Sequence, residues 1–281
     1  MHDDQHGTAI ISAAALKNAL EIANKKASEV TVVINGAGAA AISCTKLYGE
    51  LGVKKKHIVM CDSKGVIRAD RENLTAEKKD FTTVRDLHTL EEAMVGADVF
   101  VGLSIGNVVT PEMLKTMAEN PIVFAMANPN HEIYYDTAVM RRDDFILATV
   151  RSDNASQVNN VLGFAFIFRG AVDVRAKMIN EVFKLAAVNS LADLAKETVP
   201  EHVNITYGET NIQFGKDYII PKPFDNRLIT EIPPAVAKAA IASGVATEPI
   251  EDWDAYRESL EERLGHGSKL MRQITERAKS D

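Results

Sequence analysis

Five short apolar runs, at 30–34, 57–61, 98–103, 121–127 and 145–149, are spread along the chain, most of them stopped by Gly, Asn or Asp. Their continuous apolar character suits strands covered on both faces, which parallel sheets with crossover helices provide. Helical periodicity fills the gaps. Ala13, Leu16, Leu20 and Ala23 share a face within 8–27, and Ala40, Cys44, Leu47 and Leu51 share one within 39–51. Leu90 to Met94 reads as the end of a helix, and Thr110-Pro111-Glu112 opens another, with an N-cap hydroxyl, a first-turn proline and an acid at the positive end of the dipole. Beyond residue 160 the chain turns helical, most clearly at 179–197 and 235–243. The pattern predicts a doubly wound, Rossmann-like α/β fold with a parallel sheet and a helical C-terminal extension.

Charge and cysteine content narrow the function. A formal net charge of −7 argues against a nucleic-acid or anionic-membrane binder, and Lys54-Lys55-Lys56 reads as a solvated loop. No apolar run reaches the length of a membrane span, and Met1 to His6 has neither the basic start nor the apolar core of a signal peptide, so a cytoplasmic location is expected. Cys44 and Cys61 lie in apolar surroundings and read as small core residues.

Gly36-Ala37-Gly38-Ala39-Ala40-Ala41 fits G-x-G-x-x-A at the junction of a strand and a helix. The first glycine permits the tight turn, the second lets a pyrophosphate approach the backbone, and the small sixth residue lets helix and strand pack closely. The helix N-terminus then offers free N–H groups to the phosphates. Asp62 ends the next strand, where an acid can bond an adenosine ribose hydroxyl, whereas Ser63 and Lys64 beside it suit a ribose 2′-phosphate. NAD and NADP both stay open, with a slight lean to NADP. Asn128 and Asn160 follow later strands, where uncharged amides can orient a carboxylate or a carboxamide; Asp3 and Asp4 form the polar cluster near the start, a hard-oxygen pair for a divalent cation or a frayed terminus.

Several ordered segments together carry a family resemblance. These are 2–9, 35–41, 61–65, Ala127-Asn128-Pro129, Arg151-Ser152-Asp153, 157–160, 166–170, 219–225 and Pro234-Ala235-Val236-Ala237. Over about residues 2–256 the chain resembles the bacterial malic enzymes. The resemblance implies oxidative decarboxylation of (S)-malate to pyruvate and CO₂ with NAD or NADP and Mg²⁺ or Mn²⁺. It implies that Asp4 completes the metal site, that Asp3 supports the proton-transferring lysine, and that Asn128 and Asn160 contact substrate and nicotinamide. The family's principal lysine and tyrosine, and its other acidic ligands, have no counterpart here. Val150 stands where a glycine is expected, Asn154-Ala155-Ser156 where Tyr-Pro-Asn is expected, and Ala165 where a proline is expected.

The expected organisation is a linker helix with part of a metal site (1–28), an NAD(P)-binding domain (29–250), and a charged helical tail or linker to a phosphotransacetylase-like domain (251–281). The tail, with a charged helix at 256–279, is expected to bury little. A small-molecule substrate and, for the full-length enzyme, a homo-oligomer follow from the resemblance, with neither nucleic acid nor membrane as partner. A second reading is a non-catalytic nucleotide-sensing or interaction module derived from such an enzyme.

Overall fold

The computed structural model describes residues 2–139, 142–150 and 156–264. Seven strands form one sheet in the order β3-β2-β1-β4-β5-β6-β7. They are β1 (Val32–Asn35), β2 (Ile58–Asp62), β3 (Gly65–Val66), β4 (Val99–Gly102), β5 (Ile122–Ala125), β6 (Ile146–Thr149) and β7 (Ser156–Gln157). All neighbours run parallel except the short β2–β3 hairpin. The predicted doubly wound fold is present, and its order reverses between β1 and β4. In open α/β sheets that reversal opens a crevice at the carboxyl ends of the strands.

Eleven helices are described: α1 (Thr8–Ile22), α2 (Ala39–Glu50), α3 (Ala76–Lys79), α4 (Leu90–Met94), α5 (Pro111–Thr116), α6 (Tyr135–Val139), α7 (Phe164–Asp173), α8 (Glu181–Leu194), α9 (Glu201–Tyr207), α10 (Arg227–Ala242) and α11 (Trp253–Arg263). Alternation along the strands divides the core. Val32, Ile34, Met60, Val101 and Phe124 face the layer of α1, α2, α8 and α10. Val33, Val59, Cys61, Phe100 and Val123 face the shorter α4, α5 and α6. Each strand is thus buried on both sides, which is why the runs read as continuously apolar. Cys44 and Cys61 are free and buried, and burial pushes both thiols up to about 12.

Several expected boundaries are corrected. Asn35 is not a strand stop: it is the last residue of β1, opposite Cys61 and Gly102. Asp98 falls outside β4 because its carboxylate accepts the Thr31 N–H at 2.8 Å and pairs with Lys25. Leu90–Met94 is a whole helix rather than the end of one, opened by a reciprocal Thr89/Glu92 capping box. The helix expected over 8–27 stops at Ile22, and a π-turn, Asp3–Gly7, precedes it. Far from hanging free as a linker, α1 buries eleven of its residues.

The helix expected from residue 235 begins eight residues earlier and carries Pro233 and Pro234 inside it. A proline there removes a hydrogen bond. Burial of Leu228, Ile232, Val236 and Ala240 offsets that loss, and the Ser190 hydroxyl donates to the Glu231 carbonyl in the affected turn. Among its described residues the segment after residue 250 buries only Leu260, though the Tyr256 hydroxyl donates to Asp173 at 2.8 Å and Lys238 covers the Trp253 ring. Residues 265–281 lie outside the described residues, as do Arg151, Ser152, Asp153, Asn154 and Ala155.

Candidate cofactor cleft

The predicted phosphate turn occupies the crevice. Gly36 has φ +134°, and a Cβ there would stand 2.9 Å from the Leu103 carbonyl oxygen, so glycine is required on both counts. Backbone bonds from Gly36 N–H to the Cys61 carbonyl (2.9 Å) and from Leu103 N–H to the Asn35 carbonyl (2.8 Å) lock the turn to β2 and β4. Gly38 differs. Its φ of −83° suits any residue, yet a Cβ would project into open space. It is the N-cap of α2, no side chain caps that helix, and Ala39 beside it is exposed. The first-turn amides of α2, with the positive end of its dipole, face the open crevice. The geometry leaves open space at Gly38, which an anion approaching the backbone could fill and a side chain would block.

Asp62 ends β2 as expected, but its carboxylate is not a free acceptor. One oxygen accepts from Lys64 N–H (2.9 Å) and Arg71 (3.0 Å), the other from Arg71 (3.1 Å) and Lys78 (2.8 Å). Burial opposes its charge, but the bonds from Arg71, Lys78 and the Lys64 N–H outweigh burial and hold the carboxyl well below the usual range. Asp62 therefore gathers two cations around a small cleft of about 180 Å³, lined also by Ser63, Lys64, Asn73 and Thr75. Arg71 and Lys78 were not legible in the sequence, since nothing in the spacing of 9 and 16 residues announces a return to Asp62.

The start of the chain meets the turn that follows β7. Asn160 donates to one oxygen of Asp3 at 2.6 Å across 157 residues. The other oxygen of Asp3 is buried without a hydrogen-bond partner among the described residues. Burial and the neighbouring Asp4 raise the Asp3 pKa, against the lowering effects of His2 and Asn160. Gly7 completes the fit, because a Cβ there would overlap the Asp3 carboxyl. The two adjacent amides separate cleanly: Asn159 caps its own turn through the Val161 N–H at 3.0 Å, while Asn160 turns to the carboxylate. Asn128 is exposed at the end of the segment after β5, and no hydrogen bond joins it to Asp3 or Asn160 among the described residues.

Asp4 points to solvent, its side chain 83% exposed and 3.8 Å from the His2 ring. Among the described residues no group of three His, Cys, Asp or Glu side chains could hold a metal ion. Asp3 and Asp4 alone do not make a cage for Mg²⁺ or Mn²⁺, so no chemical step is derived through a metal.

The family described as the malic enzyme NAD-binding domain matches residues 5–211. The chain belongs to that family. It is 52% identical over its whole length to the NADP-dependent malic enzyme of Salmonella typhimurium, and 51% identical over 281 residues to that of Haemophilus influenzae. In each case it spans 37% of the relative's length. Among solved structures it is similar to the malic enzyme of Entamoeba histolytica, with a TM-score of 0.83, 34% identity, and coverage of 98% of this chain and 56% of that one.

Proposed function

We propose that this chain is the dinucleotide-binding part of an enzyme that oxidises (S)-malate and decarboxylates the product to pyruvate and CO₂, in the cytoplasm. The observation that carries the reading is the Asp3–Asn160 hydrogen bond, which joins a carboxylate from the start of the chain to an amide just after the carboxyl end of β7. A module that only sensed nucleotides would have no use for that pair. In functional terms 1–28 brings the acidic residues, 29–250 holds the cofactor, and 251–281 leads onward.

The pyrophosphate is held by the Gly36–Ala40 backbone and the N-terminus of α2. Lys64, Arg71 and Lys78 outnumber Asp62 and Glu72 around the adenosine-side cleft, which favours the extra phosphate of NADP over NAD. Asn128 and Asn160 orient the nicotinamide and the substrate without adding charge. A bound nicotinamide supplies hydride-accepting chemistry; the chain's share is to keep it in register with the substrate carbon and to exclude misaligned poses. The orphaned oxygen of Asp3 can take one more donor, which fits a residue that supports a proton-transferring ammonium. Asp4 is the proposed ligand to Mg²⁺ or Mn²⁺ once carboxylates from outside this chain join it.

The test is a malate-dependent, Mn²⁺-dependent assay of NADP reduction. The chain alone should reduce NADP negligibly, because missing acid–base groups typically cost about 10²–10⁴-fold each. Addition of the remaining part of a malic enzyme should restore turnover, and an Asn160→Ala chain should not support it. Robust turnover by the isolated chain would overturn the assignment of its residues.

A further inference from the structure

The segments that follow β4 and β5 enclose a buried carboxyl that none of the roles above employs. Glu132 is fully buried. One of its oxygens accepts the Ala127 N–H at 3.1 Å, and the other has no hydrogen-bond partner among the described residues. The carboxyl lies against Gly102, the last residue of β4, where a Cβ would overlap it. Around it the two segments are stitched together by Asn107 N–H to the His131 carbonyl (2.8 Å), Val109 N–H to the Glu132 carbonyl (3.1 Å) and Met126 N–H to the Gly102 carbonyl (3.1 Å). Gly106 approaches Asn130 so closely that a Cβ there would stand 2.5 Å from the Asn130 carbonyl oxygen. Asn128 stands on the exposed lip between Ala127 and Glu132.

We infer that Glu132 is a positioning residue for the nicotinamide end of the cofactor, its buried carboxyl clamping the lip that carries Asn128 onto the end of β4. The inference rests on the dinucleotide reading above and adds to it a residue that touches neither cofactor nor substrate. An isolated buried carboxylate is costly unless donors surround it. Here the backbone N–H groups of Ala127, Ser104 and Glu132 itself favour the ionised form, while burial raises the pKa to about 7. The closed lip holds the proton more tightly than an open, solvated one, so protonation favours closure, and ionisation leaves a poorly compensated buried charge that loosens the lip. His131 is the only other ionisable residue in 102–110 and 125–133, and the turn at 36–40 contributes none. Tyr134, Tyr135 and Asp136, which follow, are exposed.

The experiment titrates the chain and E132Q with NADPH and with 2′-phospho-ADP-ribose, which lacks the nicotinamide, at about pH 6 and about pH 8. The ratio of the two affinities cancels the titration of their shared 2′-phosphate. In the parent, the preference for NADPH should fall about five- to tenfold as the pH rises, since ionisation of the buried carboxyl loosens the clamp. In E132Q, neutral at both pH values, the preference should be independent of pH and exceed the parent's at the higher pH by the same factor, with 2′-phospho-ADP-ribose bound as by the parent. A parent ratio that is flat with pH overturns the inference and needs no variant. E132Q matching the parent, or losing both ligands equally, overturns it as well. A parent that binds neither ligand overturns the dinucleotide reading and this inference with it.

Discussion

At the scale of single residues, the two glycines of the phosphate turn illustrate how one motif holds two kinds of constraint. Gly36 is fixed by its own backbone and by Leu103, Gly38 only by what it must leave empty. Gly38→Val should therefore keep the fold, with an unchanged thermal transition, and abolish dinucleotide binding by calorimetry. Retained affinity would show that no phosphate approaches there. Beside Asp62, Lys64→Ala and Lys78→Ala should each weaken NADP by about 1–3 kcal/mol and NAD by much less, as expected for loss of a charge-assisted bond. Equal losses for both cofactors would contradict the 2′-phosphate assignment. The sequence made Gly36, Gly38, Asp62 and Asn160 legible because each sits at a strand end, where chemistry is local to the motif. Arg71, Lys78 and Glu132 were not, because each reaches its place through the path of a loop. Glu132 also makes a stability prediction. Its carboxyl is raised from the ordinary range to about 7, so the folded chain holds this proton more tightly than the unfolded one. The associated stability is present below the unfolded value and lost as pH rises through about 7, by roughly 3 kcal/mol. In denaturant unfolding E132Q should remove that slope; an unchanged slope would mean the group is not buried as described.

Among the elements, periodicity found the strands and long helices, and failed where length or proline disguised them. β3 and β7 are two residues each, too short for any alternation to register. The helix expected at 235–243 misses the first eight residues of α10, where Pro233 and Pro234 stand inside the helix and tertiary burial overrides their local preference. The charged sequence of α11 likewise hid the few residues that dock it, Trp253, Tyr256 and Leu260. The α7–α10 contact is the tightest constraint among these helices. A Cβ on Gly170 would strike the Pro233 backbone and stand 3.0 Å from the Val236 Cβ. Gly170→Ala should cost about 1–3 kcal/mol in chemical denaturation through overpacking while leaving cofactor affinity unchanged. A neutral effect on stability would show that α10 can shift away.

For the molecule as a whole, the fold explains why chemistry gathers at one edge. Parallel strands send every βα turn to the same side, and the reversal between β1 and β4 parts the turns into a crevice. The start of the chain then crosses to that side, so that Asp3 reaches Asn160 although they are 157 residues apart in sequence. Under the proposed function, this edge supplies a cradle for a dinucleotide and one face of a substrate site. The measurement that tests this most directly is calorimetric titration of the purified chain with NADP and NAD. Saturable binding of one dinucleotide per chain, tighter for NADP, is the predicted result; a chain that is folded yet takes up neither cofactor would contradict it.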